Sequence, residues 1–369
     1  MSLVRAATVG IVAIITATVV SGSAGTPRAF LVGAPEIELP GAVDSNSPVV
    51  WDVEEGQRRQ FVFTSHSGVP SVSSGASLER LTPAEPITIT PYPGYGVWME
   101  AVISDEVDTW YGFYHNEWPA FRCGREDRTV PRIGAARSTD RGQTWTDLGI
   151  IIQSRRSTTA CDSSNEYVIG GVGDLSAMLD EDKQFLYIFY TQYPDVASAQ
   201  GVAVARMAWA DRDRPLGQLE IWRNGVWDPD TGRREFMMGL PGETRPRIEW
   251  TYPLATPLIA PTYPWHDDDD KVDAFWGPSV HWNSAIEHYV MLLNRAKDEE
   301  YSQEGIYVSF APRLDDPSLW STPVKILNGG RWYPQVIGMT TGSGTDKLAA
   351  AVPRFFMSGK SEWIINFTK

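Results

Sequence analysis

The 369-residue sequence has few cysteines, few histidines and little positive charge, and each shortage excludes a class of protein. The two cysteines do not form a Cys-x-x-Cys pair and the five histidines are scattered, which argues against a zinc site. The 32 Lys and Arg residues face 46 Asp and Glu residues, and a net charge of −14 argues against a nucleic-acid partner. Phosphate-cradling glycine loops, nucleophile elbows and dinucleotide fingerprints are also absent from the sequence, so we expect no nucleotide cofactor.

Long apolar runs are missing as well, except near the N-terminus. Residues 6–20 are apolar, follow Arg5, and precede the small-residue run 21–24. This order predicts a signal peptide over residues 1–24, because the run falls short of the roughly 20 residues that span a bilayer. We therefore expect a secreted or periplasmic protein with no stable membrane insertion after cleavage, formed by one domain over residues 25–369.

Aromatic residues, glycine and proline are abundant by contrast. The sequence has 15 Trp, 14 Tyr and 13 Phe residues, together with 32 Gly and 26 Pro residues. Aromatic residues favour strands, and Gly and Pro favour turns, so the composition predicts many short strands.

A strand–turn–strand unit recurs five times along the chain. The first strands of the five units are 46–51, 96–103, 173–179, 277–282 and 333–338, and the second strands are 60–64, 110–115, 185–190, 288–293 and 348–352. Units of this kind repeated around an axis predict an all-β, five-bladed β-propeller, with a strand from residues 27–42 closing the ring. A pair of β-sandwiches is the alternative, which the regular recurrence disfavours. We expect the protein to be a monomer.

The segment Ser138-Thr139-Asp140-Arg141-Gly142-Gln143-Thr144-Trp145 matches the Asp-box of sialidase-like propellers. In this motif the Asp side chain caps turn N–H groups, the Gly takes a positive φ angle, and the Trp packs under the hairpin. We therefore interpret Asp140 as a turn residue and not as a catalytic residue.

The chain further resembles the five-bladed propeller glycosidases of the arabinanase and xylosidase type, glycoside hydrolase family 43 and its relatives. The segment 173–176 looks like their Asp-Pro-Ser strand start with Leu175 in place of Pro, and 276–280, 306–310 and 320–323 add to the resemblance. The resemblance implies a secreted glycoside hydrolase that cleaves a pentose- or furanose-containing polysaccharide or oligosaccharide with a pair of carboxylates.

Propeller topology also predicts where the site lies. Inner-strand starts and second-strand ends converge at one mouth of the central channel, where like charges raise carboxyl pKa values. There we expect Glu117 to be the general acid and Asp174 the base or nucleophile, while Glu100 corresponds by resemblance to a third carboxylate that tunes or orients the others. The expected substrate-binding residues are Trp98, His115, Asn116, Trp118, Gln192, Ser279, His281, Asn294, Arg295 and Gln335.

Further expectations concern the disulfide, the metal or cofactor content of the site, and the alternatives to a hydrolase. Two cysteines in an exported protein usually pair, and a bond between Cys123 and Cys161 would hold the rim of the site. We expect no metal and no cofactor at the site, while a structural calcium ion near His281 in the central channel stays open. The alternatives to a hydrolase are a non-catalytic carbohydrate-binding propeller and a sialidase-like or lyase activity on the same scaffold.

Overall fold

The computed structural model describes residues 25–229, 232–237, 247–266 and 272–369, so the predicted signal peptide lies outside the described residues. The described chain is nearly all β, and five sheets form a five-bladed β-propeller, as predicted. The helical turns among these residues are short 3-10 helices at Phe121–Cys123, Arg156–Thr158, Ala197–Ala199, Trp209–Asp211 and Pro317–Leu319. Within the described part of the chain, we find no helix with the length and apolar character that crossing a membrane requires.

Strands of blades I and II follow one another along the chain after an initial strand, β1 (Arg28–Glu38), that belongs to the last blade. Blade I consists of β2 (Val49–Glu54), β3 (Gln57–His66), β4 (Val69–Gly75) and β5 (Glu85–Pro86). Blade II consists of β6 (Thr88–Thr90), β7 (Gly96–Ser104), β8 (Trp110–Ala120), β9 (Arg125–Ser138) and β10 (Thr144–Ile152), with β7 at one edge of the sheet and β6 at the other.

Blade III is followed by a separate hairpin that the sequence analysis does not predict. The blade consists of β11 (Val172–Leu179), β12 (Phe185–Gln192), β13 (Gly201–Ala208), β14 (Glu220–Arg223) and β15 (Val226–Asp228). The hairpin pairs β16 (Arg233–Met237) with β17 (Arg247–Thr251) in antiparallel register.

Blades IV and V complete the ring. Blade IV consists of β18 (Phe275–Asn283), β19 (His288–Ala296), β20 (Gln303–Ala311) and β21 (Val324–Asn328). The later strands are β22 (Pro334–Ile337), β23 (Leu348–Ala349), β24 (Arg354–Met357) and β25 (Lys360–Thr368). Blade V takes β22, β24 and β25 from this set and adds β1, which pairs antiparallel with β25 from Arg28 opposite Thr368. The predicted closure of the ring by the N-terminal strand is confirmed.

The second strand of blade V is not the predicted segment 348–352. Residues Leu348 and Ala349 instead form β23, which pairs in parallel with β18 of blade IV, and β24 takes the expected place. The run of alanines in 348–352 cannot fill the space between two blades, whereas Phe355 and Phe356 on β24 are almost completely buried there.

Each pair of adjacent blades shares a hydrophobic layer, which fixes the blades relative to the central channel. Representative members are Phe63, Met99 and Trp145 between blades I and II, Phe113 and Leu175 between II and III, Phe189 and Val280 between III and IV, Leu292 and Phe355 between IV and V, and Val62 and Phe356 between V and I.

The turn between β9 and β10 is built by Asp140. Its carboxylate accepts hydrogen bonds from the Thr144 backbone N–H at 2.9 Å and from the hydroxyls of Thr144 and Ser138 at 2.6 and 2.8 Å. Partial burial raises the pKa of Asp140, but these hydrogen bonds outweigh that effect and hold the pKa below its usual value. The Trp145 indole N–H donates to the Gly142 carbonyl at 2.8 Å, so the segment acts as a local hairpin clamp.

Candidate active site

One buried imidazole, that of His115 on β8, lies between the three predicted carboxylates. Its Nδ1 atom is 3.8 Å from a carboxylate oxygen of Glu100 on β7 and 3.8 Å from one of Asp174 on β11. Its Nε2 atom is 3.8 Å from a carboxylate oxygen of Glu117, which is two residues farther along β8. Blades II and III therefore bring together three acidic groups that are up to 74 residues apart in sequence.

Hydrogen bonding fixes the orientation of the His115 ring. The Asp174 backbone N–H donates to Nδ1 at 2.9 Å, and the ring lies edge-on to Trp98 with ring centres 5.4 Å apart. His115 is only 6% exposed, and its Nε2 atom has no hydrogen-bond partner within the described residues. A buried N–H without a partner is unusual, so Nε2 is available to a group that enters the site.

The Asp174 carboxylate is held by two tyrosine hydroxyls. Tyr193 donates to one of its oxygens, and Tyr333 donates to the other at 3.2 Å. Burial, followed by the charge of Asp174, raises the pKa of both tyrosines well above the usual value, so both hydroxyls remain donors. The Asp174 backbone has a φ angle of 42° at a β-bulge in β11, a strained conformation that turns its N–H toward His115.

Glu100 is the most deeply buried of the three carboxyl groups. Burial and then the charge of Asp174 raise its pKa well above the usual value, against the opposing effect of the Leu175 backbone N–H. That N–H donates to a Glu100 carboxyl oxygen at 2.8 Å. Glu100 is thus a buried carboxyl group whose surroundings favour the protonated form.

Glu117 has a raised pKa. Its side chain is also 39% exposed, so it is accessible to solvent. Burial of the carboxyl group raises its pKa, His115 lowers it, and the charges of Asp174 and Asp44 raise it further. A partly exposed carboxyl group with a raised pKa can hold a proton and deliver it to a bound molecule.

Asp44 is a fourth carboxylate of this site, and the sequence analysis misses it. It precedes β2, accepts a hydrogen bond from the Trp98 indole N–H at 2.7 Å, and has a side chain that is 35% exposed. Asp44 lies two residues before Asn46, which begins the first predicted strand of blade I. The expectation that inner-strand starts lie at the mouth of the channel would have included Asp44 if it had covered the two residues before each strand.

Several side chains that are predicted to bind substrate instead form hydrogen bonds within the protein. Asn116 donates to the carbonyls of Gly94 and Gly96 at 2.7 and 2.9 Å and accepts from Arg132 at 2.8 Å. Gln335 is bonded to the Ser47 backbone through both its amide N–H and its amide oxygen.

The same is true of three residues in blades III and IV. Gln192 bonds the backbone of Ala199 and Ala255, Asn294 bonds Trp276 and Gln303, and Arg295 forms an ion pair with Asp273. These residues lie at the strand ends that propeller topology selects, but successive side chains of a strand point to opposite faces, so some of them enter the packing between blades.

The remaining predicted residues differ in what they offer. Ser279 is 4% exposed on β18, and Trp118 is half-buried beside Glu117 with the Arg132 guanidinium 3.8 Å from the centre of its ring. His281 is completely buried with both ring nitrogens unpartnered among the described residues, and burial lowers its pKa to about 3. His281 is thus a neutral imidazole in the ring interior.

The described residues contain one cluster with the composition of a metal site, formed by Glu100, His115 and Asp174, with ligand atoms within 4.8 Å of one another. Its donors are already used in part, since Nδ1 of His115 and one Glu100 oxygen accept backbone N–H groups. His281 does not belong to this cluster, and the nitrogen ligands it offers do not suit calcium, which prefers oxygen. The expectation of a central calcium ion stays a prediction.

A disulfide joins Cys123, in the 3-10 helix after β8, to Cys161, in the loop before β11, with Cα atoms 5.2 Å apart. The predicted pairing is confirmed. The bond ties the loop that follows Glu117 to the loop that leads toward Asp174, so it restrains both edges of the site.

Neither the protein-family models nor the curated proteins include a match to the chain. Among solved structures, a thermostable family-43 glycoside hydrolase is 13% identical, with 89% of this chain and 91% of that chain covered and a TM-score of 0.47. The Bacillus subtilis arabinanase is 13% identical, with 89% and 96% covered and a TM-score of 0.46. The endo-arabinase from Bacteroides thetaiotaomicron is 9% identical, with 90% and 97% covered and a TM-score of 0.47.

Proposed function

We propose that the protein is an exported glycoside hydrolase that cleaves a pentose- or furanose-containing polysaccharide or oligosaccharide. The observation that carries the proposal is the convergence of Glu100, Glu117 and Asp174 on the His115 ring. Glycoside hydrolysis requires one carboxylic acid that holds a proton and one carboxylate that stays ionised, and environments that push two pKa values apart supply both. The pentose or furanose class follows the resemblance noted in the sequence.

Glu117 is the general acid in this proposal. Its raised pKa keeps a proton available, and its partial exposure allows the carboxyl group to reach the oxygen of a glycosidic bond. Proton transfer to that oxygen makes the leaving sugar a neutral alcohol, while positive charge develops at the anomeric carbon and is stabilised by the neighbouring carboxylates.

Asp174 is the base or nucleophile in this proposal, because two tyrosine hydroxyls donate to its oxygens and hold the carboxyl group in place beside His115. Asp44 competes for the same role, since its side chain is 35% exposed whereas that of Asp174 is 11% exposed. Glu100 lies beside the same His115 ring, and the surroundings that raise its pKa favour the neutral carboxyl group, which limits the negative charge there.

The first experiment compares wild type with Glu117→Gln on arabinan, xylan and galactan, with the exposed Glu126→Gln as the matched control. We expect Glu117→Gln to lower kcat by about 10²- to 10⁴-fold, less on substrates whose leaving group needs no proton, and Glu126→Gln to change little. A wild-type protein that binds these glycans without cleaving them, and as tightly as Glu117→Gln, would be a carbohydrate-binding propeller instead.

A second experiment separates the two candidate bases. Asp174→Asn and Asp44→Asn are each assayed with and without added azide, a small anion that replaces a missing carboxylate at the anomeric carbon. We expect azide to restore turnover in Asp174→Asn; restoration only in Asp44→Asn would transfer the role to Asp44. The export part of the proposal is tested by N-terminal sequencing of the mature protein, which should begin at Gly25.

A further inference from the structure

We propose that a cleft beside the candidate active site, lined by Tyr92, Trp118 and Trp250 and by the carboxylates of Asp147 and Glu249, binds one neutral sugar unit of the substrate chain. This inference rests on the proposed function and extends it to the substrate's second point of contact. It assigns the cleft a part in recognising chain length and charge.

The cleft is large enough for this ligand and has walls from three parts of the fold. Its volume is about 410 Å³, within the range of roughly 300–1,000 Å³ that is common for small-molecule sites. The segment 91–94 before β7 forms one wall, β8 to β10 form the floor, and β17 of the separate hairpin forms the opposite wall.

Aromatic rings give the cleft surfaces for the apolar faces of a sugar. Tyr92 is 61% exposed, so its ring is accessible to a ligand in the cleft. Trp118 is held in place by Arg132 on one face, with the guanidinium 3.8 Å from the ring centre, and by the edge of Tyr95 at 4.8 Å. Rings fixed in this way can stack on C–H groups without losing further side-chain freedom.

The polar groups of the cleft are acceptors anchored by the protein. One oxygen of Asp147 accepts from the Tyr114 hydroxyl at 2.7 Å and from the Gly149 N–H at 3.0 Å. Glu249 accepts from Gln153 at 2.9 Å and from Arg132 at 3.4 Å. A carboxylate has about four acceptor positions, so both groups keep lone pairs for hydroxyls of a ligand.

The charge of the cleft favours a neutral ligand over an acidic one. Among the described residues, two carboxylates and one guanidinium line the cleft, and their formal charges sum to −1. The neighbouring catalytic centre adds the carboxyl groups of Asp174 and Asp44. A uronate or a phosphorylated sugar would meet like charges in both places, whereas a neutral sugar meets only hydrogen-bond acceptors.

The cleft is continuous with the strand that carries the general acid. Trp118 directly follows Glu117 on β8, and Arg132 donates to the Asn116 side chain at 2.8 Å. Asn116 in turn donates to the carbonyl of Gly94, at the end of the wall segment. The wall of the cleft therefore begins one residue beyond the general acid along β8.

The test measures binding of neutral arabino- and xylo-oligosaccharides to Glu117→Gln protein, which separates binding from turnover. Trp250→Ala and, as a second variant on an exposed segment, Tyr92→Ala are combined with Glu117→Gln. We expect each to weaken binding by about three- to tenfold, and more for tetrasaccharides than for disaccharides. Trp227→Ala and Tyr263→Ala, aromatic positions outside the cleft, serve as matched controls and should bind like the parent.

Asp147→Asn should improve binding of galacturonate oligomers relative to neutral ones.

The outcomes keep the two proposals apart. Unchanged oligosaccharide binding in both cleft variants overturns the cleft inference, even if the wild-type protein hydrolyses glycans. If the wild-type protein cleaves no glycan but the cleft variants bind oligosaccharides more weakly than the controls, the hydrolase proposal fails and the sugar site stands. Equal weakening for short and long oligosaccharides contradicts the inference that the cleft holds a second sugar unit.

Discussion

The backbone N–H of Asp174 donates a hydrogen bond to Nδ1 of His115 at 2.9 Å. Because Nδ1 accepts this bond, the ring proton of the neutral imidazole is assigned to Nε2, on the side of Glu117. One contact between blades II and III thus orients the ring toward the general acid. The strained backbone of Asp174 is what makes this contact possible.

Glu100→Gln should have a higher free energy of unfolding than wild type at alkaline pH. At acidic pH the difference between the two should be smaller. The folded state raises the pKa of Glu100 above its usual value of 4.5, so between that pH and the folded pKa only the unfolded chain releases the proton. In that pH range Glu100 lowers the stability of wild type by about 1.4 kcal/mol for each pH unit. The Gln variant has no titrating group at this position, so it does not lose this stability. Urea unfolding at pH 5 and pH 9 measures it, and an equal difference at both pH values contradicts the prediction.

His281→Gln should remove part of the acid sensitivity of the fold. Burial lowers the pKa of His281 to about 3 from the usual 6.5, so below pH 6.5 the unfolded chain binds a proton that the folded protein does not. Between pH 7 and pH 4.5 we expect wild type to lose about 2–3 kcal/mol more stability than the variant. Denaturant midpoints at the two pH values decide this, with His66→Gln at an exposed position as the control.

Replacing both cysteines with serine should lower the free energy of unfolding by about 4 kcal/mol, because the Cys123–Cys161 bond closes a loop of 38 residues. The measurement is urea unfolding with and without a reductant. Reductant should bring wild type to the stability of the double variant and leave the variant unchanged. A wild-type protein whose stability ignores the reductant would show that the bond contributes nothing.

Asp140→Ala should cost roughly 1–3 kcal/mol of stability without lowering glycan hydrolysis. Three hydrogen bonds at the β9–β10 turn are lost, but the residue has no contact with the catalytic groups. Asp182→Ala, at an exposed position, is the control for charge removal. Thermal unfolding and kcat on the hydrolysed glycan are the readouts, and a selective fall in kcat at unchanged stability contradicts the prediction.

Periodic features of the sequence predict the fold well, while individual side chains of the site are harder. The recurring strand pairs predict five blades. The expectation that inner-strand starts converge at one mouth of the channel includes Glu100 and Asp174, which the closed ring brings together. The same topology also selects Asn116 and Gln335, because it says where a strand ends and not which face a side chain occupies. Asp44 was missed because it lies in the loop before its strand.

The elements that sequence analysis misses depend on contacts that are distant along the chain. The hairpin of β16 and β17 belongs to none of the five repeats, and its role in the cleft depends on Glu249 meeting Arg132 of blade II. Likewise, β23 is two residues long and is defined by its pairing with β18. No local pattern distinguishes such a segment from a loop.

The pairing of β1 with β25 has a consequence for how the molecule reaches its final shape. The earliest described strand can pair only after β25 has been synthesised, so blade V stays incomplete until then. Until then, the apolar sides of blades I and IV that face it lack their cover. The ring therefore closes only when β1, the first described strand to be made, pairs with β25, the last.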